Sequence, residues 1–195
     1  MNTKKKEKQL QVYNAALQMF SKYGYRKTTL EDIGDVLGMT KGNLYLYAKN
    51  KRDLYESAIA FALKNWQQNA LAAAAQEKTI TGQIFTYCMQ GYNYLQDNRD
   101  LHTLIINDPT IFPLSPGEDR FHEINLESMT LLKEMLKAGI EKGEFRDVDV
   151  DDIAELLYSV YVMMIIRTYV KSENKFNDDA LKRGYDLILH GLLKT

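Results

Sequence analysis

Apolar residues return every three or four positions along nearly the whole chain, the pattern of helices laid against a core. Leu10, Tyr13, Leu17 and Phe20 share one face of a first helix, and Gly24 follows as the residue that can leave it. Thr29 stands as N-cap of a second helix, with Glu31 and Asp32 in its first turn and Leu30, Ile33, Val36 and Leu37 on its buried side. Gly38 ends that helix, and Thr40 caps a third that reaches about Tyr47. Asn50 and Asp53 form a capping-box-like pair before a fourth helix, which runs through Leu54, Ala58, Phe61, Ala62 and Trp66 to about residue 76. Further helices are expected over about 81–97, 100–107 and 118–142, the last of these ended by Gly143. Asp149 caps another to about residue 171, and Asn177 caps a last one to about residue 193. All three prolines, at 109, 113 and 116, fall in the one clear break, "NDPTIFPLSPGED". No strand pattern of useful length occurs.

Residues 40–51, "TKGNLYLYAKNK", do not fit a plain helix. A core helix would carry fewer lysines and a solvated one fewer tyrosines. A helix, a glycine turn and a second short helix make the helix-turn-helix pattern, which also occurs as plain scaffold. Here the second helix has chiefly Leu44 to turn inward, so Lys41, Asn43, Tyr45 and Tyr47 face out. Lysine and asparagine offer donors to base edges, and lysine and tyrosine donate to phosphates. Thr40 and the free N–H groups beside it attract anions.

Charge adds to this picture. The net charge of −1 hides +6 over residues 1–55, from 11 Lys and Arg against 5 Asp and Glu, and −7 over the rest. A basic head on an acidic body suits a nucleic-acid-binding regulator.

"TTLEDIGDVLGMTKGNLYLYAKNKRDLYESAI" resembles the DNA-binding region of TetR-family (tetracycline-repressor-type) transcriptional regulators, and the likeness runs from about residue 10 to 60. Two positions depart from that family's pattern: Gly34 stands where alanine is usual, and Ala48 where phenylalanine is usual. By helix propensity alone Gly34 should loosen the second helix by about 1 kcal/mol. The resemblance implies base-reading roles for Lys41, Gly42, Asn43 and Tyr45, and phosphate contacts for Thr29, Thr40, Tyr47 and Lys51. It also implies a homodimer on a palindromic operator in double-stranded DNA, released when the body binds a small molecule.

The body's own pattern favours a dimer. "IAELLYSVYVMMIIRTYV" is apolar almost all round, so Leu156, Val160, Met163 and Met164 cannot all face one core. Tyr185, Leu189 and Leu192 widen the apolar face of the last helix, and two such helices from each subunit would make a four-helix interface. Trp66, Phe85, Met89, Tyr92, Met129 and Tyr161 suit either an ordinary core or an adaptable pocket, and no cationic cluster marks a site for a phosphorylated ligand. An apolar or aromatic effector is therefore expected.

No enzyme is expected, and neither cofactor nor metal. His102, His122 and His190 lie far apart, and no phosphate loop or nucleophile elbow occurs. A single cysteine, Cys88, suits a reducing cytoplasm as a small hydrophobe. The longest apolar run, Val160 to Ile166, is far short of a membrane span, so a cytoplasmic protein is expected. The expectation is an all-α fold of about nine helices. Residues 1–50 form a three-helix DNA-binding head, and residues 51–195 a larger ligand-binding and dimerisation body. A helical protein of this ancestry acting through a protein partner is the alternative, and the outward Lys41, Asn43 and Tyr45 weigh against it.

Overall fold

A computed structural model describes residues 3–112, 119–170 and 178–194. Asn177, Pro113 and Pro116 lie outside the described residues. The fold is all-α. Its helices are α1 (Thr3–Lys27), α2 (Leu30–Leu37), α3 (Lys41–Leu44), α4 (Lys51–Ala74), α5 (Ile80–Asp97), α6 (Arg99–Asn107), α7 (His122–Glu141), α8 (Val150–Ile165) and α9 (Asp178–Leu192). The end of α8 widens into a π-turn over Ile166–Val170. Among the described residues the only β pairing is one bridge between Phe145 and Leu193.

Local chemistry sets several boundaries. Thr29 and Asp32 make a full capping box at α2, and Asp149 accepts the N–H groups of Asp151 and Asp152 at α8. The Asn50 side chain accepts from Asp53 N at 2.9 Å, and Asp53 accepts from Lys49 N at 2.7 Å. At Gly24 the backbone swings to φ 81°, ψ 157°, and helical structure resumes beyond it as far as Lys27. The buried Thr28 hydroxyl holds this corner by donating to Gly24 O at 2.9 Å.

The chain divides into two compact units, residues 1–64 with 98–108, and residues 65–97 with 109–195. The first unit packs Val12, Ala16, Phe20, Ile33, Leu44, Leu54 and Ala58 into one interior, together with Leu101, Leu104 and Ile105 of α6. Ser21 Oγ donates to Asp100 at 2.5 Å, tying α1 to α6. Phe20, Tyr25 and Tyr55 form an aromatic trio, with Phe20 edge-on to Tyr55 at 5.1 Å. α6 thus belongs by packing with the helices that precede α5.

The second unit centres on Ile84, Cys88, Tyr92 and Leu95 of α5, surrounded by Leu132, Leu136, Leu157, Ile165, Tyr185 and Leu189. α5 has no acidic residue in its first turn. Glu144 takes that place from across the fold, its carboxylate accepting from Ile80 N at 2.9 Å and Thr81 N at 3.3 Å. Arg146 N to Leu192 O at 2.9 Å and Lys194 N to Glu144 O at 3.0 Å then fasten the end of α9 to the same segment.

Candidate nucleic-acid interface

The turn between α2 and α3 is built by two glycines for different reasons. Gly38 takes the left-handed conformation, φ 61° and ψ 33°, and donates to Asp35 O at 3.2 Å. Met39 N donates to Gly34 O at 2.8 Å, and a Cβ on Gly34 would lie 2.6 Å from Met39 O. The turn therefore closes onto Gly34, and the helix-propensity loss expected there accompanies a backbone contact that alanine would obstruct.

Thr40 caps α3, its Oγ1 accepting from Asn43 N at 3.3 Å. α3 proper ends at Leu44, short of the expected Tyr47. Leu46 N and Tyr47 N donate to carbonyls three residues back, at 3.3 and 2.9 Å, so the chain tightens before it reaches Ala48. Leu44 alone of the helix faces in, with Ala48 buried just beyond. Lys41, Gly42, Asn43, Tyr45 and Leu46 are exposed, Leu46 at 71%, and Tyr47 is half-buried. Gly42 has room for a side chain, since a Cβ there would meet only Thr40 Oγ1, at 3.8 Å. Internal packing gives no reason for its bareness.

Several of these side chains already have partners. Lys41 Nζ sits 2.6 Å from a carboxylate oxygen of Glu31 on α2. That hydrogen bond holds the Glu31 carboxyl below its ordinary range and raises the Lys41 ammonium above its own. The sequence marks Glu31 only as a first-turn acid of α2, and a separation of ten residues carries no local signal for the pairing. Lys51 Nζ donates to Arg26 O at 3.3 Å and lies 4.5 Å from the Tyr25 ring centroid. The Thr29 hydroxyl donates to Asp32 at 2.8 Å, and that bond holds the Asp32 carboxyl below its usual value. Thr29 is thus placed as a cap whose hydroxyl proton is in use.

In the second unit, Trp66 is buried and donates its indole N–H to Gly91 O at 2.5 Å. Tyr161 lies 6.4 Å away centroid to centroid, Tyr94 stacks at 6.0 Å and Phe112 meets the indole edge-on at 5.9 Å. The Tyr161 hydroxyl reaches Gly91, where no Cβ could fit, and burial pushes its pKa well above the ordinary value. Tyr92 is buried, with its ring 5.4 Å from Tyr169 and its hydroxyl 3.3 Å from Thr168 Oγ1. Trp66 and Tyr161 are thus brought together. Met89 is buried, while Phe85 and Met129 are half-buried. Tyr94 lies on α5, Phe112 beyond α6 outside any helix and Tyr169 in the π-turn, so no one helix's apolar face joins them.

On α8 and α9 the seven apolar residues separate. Met164, Tyr185, Leu189 and Leu192 are enclosed within the chain's own core, and the Tyr185 hydroxyl donates to Leu157 O at 3.1 Å. These four are already covered by neighbours in a single copy. Leu156 and Met163 are exposed at 48% and 44%, and Val160 is half-buried. Leu187 of α9, not anticipated, is 77% exposed.

Residues 12–58 match the profile of the family described as bacterial regulatory proteins, tetR family. The fatty acid metabolism regulator protein of Bacillus subtilis (strain 168) is 22% identical over 192 residues, covering 96% of this chain and 97% of that one. The HTH-type transcriptional repressor BepR of Brucella suis is 24% identical over 91% of this chain and 83% of its own length. The crystal structure of the transcriptional regulator FadR from Bacillus subtilis in complex with stearoyl-CoA superposes with a TM-score of 0.74 at 20% identity, covering 93% of this chain and 98% of that one.

Proposed function

We propose that this chain, a transcriptional regulator whose residues 12–58 form a tetR-family DNA-binding head, is a homodimeric repressor released from a palindromic operator by a small, largely apolar ligand. One observation carries the DNA-reading part. After a capped turn, Lys41, Gly42, Asn43 and Tyr45 stand exposed on a segment whose inward contact is Leu44. Lys41 and Asn43 supply major-groove donors, Tyr45 a ring and hydroxyl, and the bare Gly42 lets backbone approach the bases. Thr29, Thr40, Tyr47 and Lys51 flank them as phosphate contacts. Lys51 keeps protons beyond the one given to Arg26 O, and Thr29 contributes through the end of α2 that it caps. In functional terms residues 1–50 are the head and residues 51–195 the body.

For the dimer, Leu156, Val160 and Met163 of α8 with Leu187 of α9 are the apolar surface left uncovered. Gly184 and Gly191 lie one turn either side of Leu187 with open space around them, so another helix could approach closely. For the effector, the packed Trp66–Tyr161 cluster is the candidate apolar binding region, with Phe85, Met89, Tyr92 and Met129 as further candidates. A regulator of similar fold holds stearoyl-CoA, which supports a long-chain acyl compound as the first ligand to try. Trp66 is the only tryptophan, so its fluorescence reports binding near it.

Selecting bound duplexes from a random pool tests the central reading. Two inverted half-sites about one helical turn apart, or a multiple of that, are expected. A pool with no enriched sequence would remove base reading from the function.

A further inference from the structure

We propose that an open groove between the first turns of α1 and Tyr47 binds DNA backbone phosphates outside the base pairs that α3 reads, through Lys4, Lys5 and Lys8. The inference rests on the DNA-binding reading above and extends its footprint. The groove, about 510 Å³, is lined by Lys4, Lys5, Glu7, Lys8, Gln11 and Tyr47. Lys4, Lys8 and Gln11 follow one another at steps of four and three, so they share a face of α1, and Lys5 flanks it one turn from Lys8. Glu7 offsets one of the three positive charges, leaving the lining net positive.

Three features point to an external anion. Among the described residues, none of the three ammonium groups has an ion-pair or hydrogen-bond partner, whereas Lys41 is held by Glu31 and Lys51 by Arg26 O. α1 has no acidic residue in its first turn. Lysines crowded at the positive end of a helix destabilise it until an anion arrives. The groove is also continuous with the candidate interface, because Tyr47 lines it and at the same time closes the α3 turn. A phosphate chain crossing from Tyr47 to Lys4 would meet the uncommitted cations in succession.

The test measures affinity for a 40-base-pair duplex of mixed sequence between 50 and 200 mM salt. Each lost phosphate contact lowers the log–log slope by about 0.9, so K4Q/K5Q/K8Q should flatten it by about two to three units. Across that salt range wild type should then lose about 16- to 64-fold more affinity than the variant. Arginine at the same three positions should restore the slope, and Lys6→Gln, outside the groove lining, should change it less than Lys8→Gln. Wild-type binding with an unchanged slope in the triple variant would overturn the groove while leaving the DNA reading intact. Failure of wild type itself to bind the duplex would remove both. Lysine-dependent binding to vesicles of anionic lipid, with the duplex slope unmoved, would assign the cluster to a membrane surface and overturn the proposal equally.

Discussion

Lys41, proposed above as a base-reading residue, already holds a partner for its ammonium in the free protein. Glu31 sits 2.6 Å away, with both side chains about half exposed. In the proposed complex a carboxylate there would repel phosphate and have to yield Lys41 to a base edge, which would weaken binding wherever no base rewards the exchange. Glu31→Gln should therefore tighten binding to mixed-sequence duplex more than binding to the selected operator. An unchanged ratio of the two dissociation constants would show that the pair is no brake. The pairing also has a pH sign. Glu31 has its folded pKa lowered, so its contribution is complete above the unfolded carboxylate range and is lost as pH falls through the lowered value. Gly34 makes a second prediction at this scale. Helix propensity alone would have Gly34→Ala gain about 1 kcal/mol. The Met39 carbonyl, 2.6 Å from the added Cβ, is backbone and cannot swing aside. The substitution should instead cost about 1–3 kcal/mol and lower Tm by several degrees. A rise in Tm in a thermal melt would contradict this reading of the turn.

Among the helices, α5 shows how a single buried face sets chemical behaviour. Ile84, Cys88 and Leu95 line it, and Cys88 is 1% exposed. Burial pushes the Cys88 thiol up to about 12, despite a hydrogen bond with Tyr185 that works the other way. At pH 8 the thiolate would then be about one part in ten thousand, and thiolate is the reactive form. Cys88 should resist a thiol reagent in the native protein and react at once in denaturant. Rapid labelling without denaturant would mean that α5 opens locally far more often than its packing implies.

For the assembled molecule, the separation of α8 and α9 residues into enclosed and uncovered sets chooses the variants. Leu189→Arg would bury a charge in the subunit's own core and unfold it, which says nothing about a dimer. Leu187 is 77% exposed, so Leu187→Arg leaves a single copy undisturbed and burdens only an interface. The expected result is a helical monomer by light scattering that no longer holds its operator. A dimer of unchanged stability would place the interface elsewhere. Coupling between effector and operator belongs to this scale as well. α4 contributes Lys51 to the first unit and Trp66 to the second. If a long-chain acyl-CoA weakens operator binding, operator must weaken its binding by the same factor, typically 5- to 150-fold. Trp66 fluorescence titrations with and without operator measure that factor, and equal affinities in the two would mean the ligand does not regulate release.

What the sequence by itself determined is the chemistry that acts within a turn of helix. Thr29 with Asp32, Thr40 with Asn43, Asn50 with Asp53 and Asp149 with Asp152 are contacts three residues apart, so these four helix starts were legible from residue type and spacing. The left-handed Gly38 and the outward crown of α3 follow from the same short-range rules. What only the tertiary structure decided lies between residues far apart in the chain. Nothing local to Lys41 announces Glu31, nothing at Ile80 announces the carboxylate of Glu144, and α6 gives no sign that it packs with α1. An apolar run treats Met163 and Met164 alike, but only neighbouring helices settle which is enclosed and which stays exposed. Periodicity sees one helix at a time, whereas burial is a property of all the helices around it.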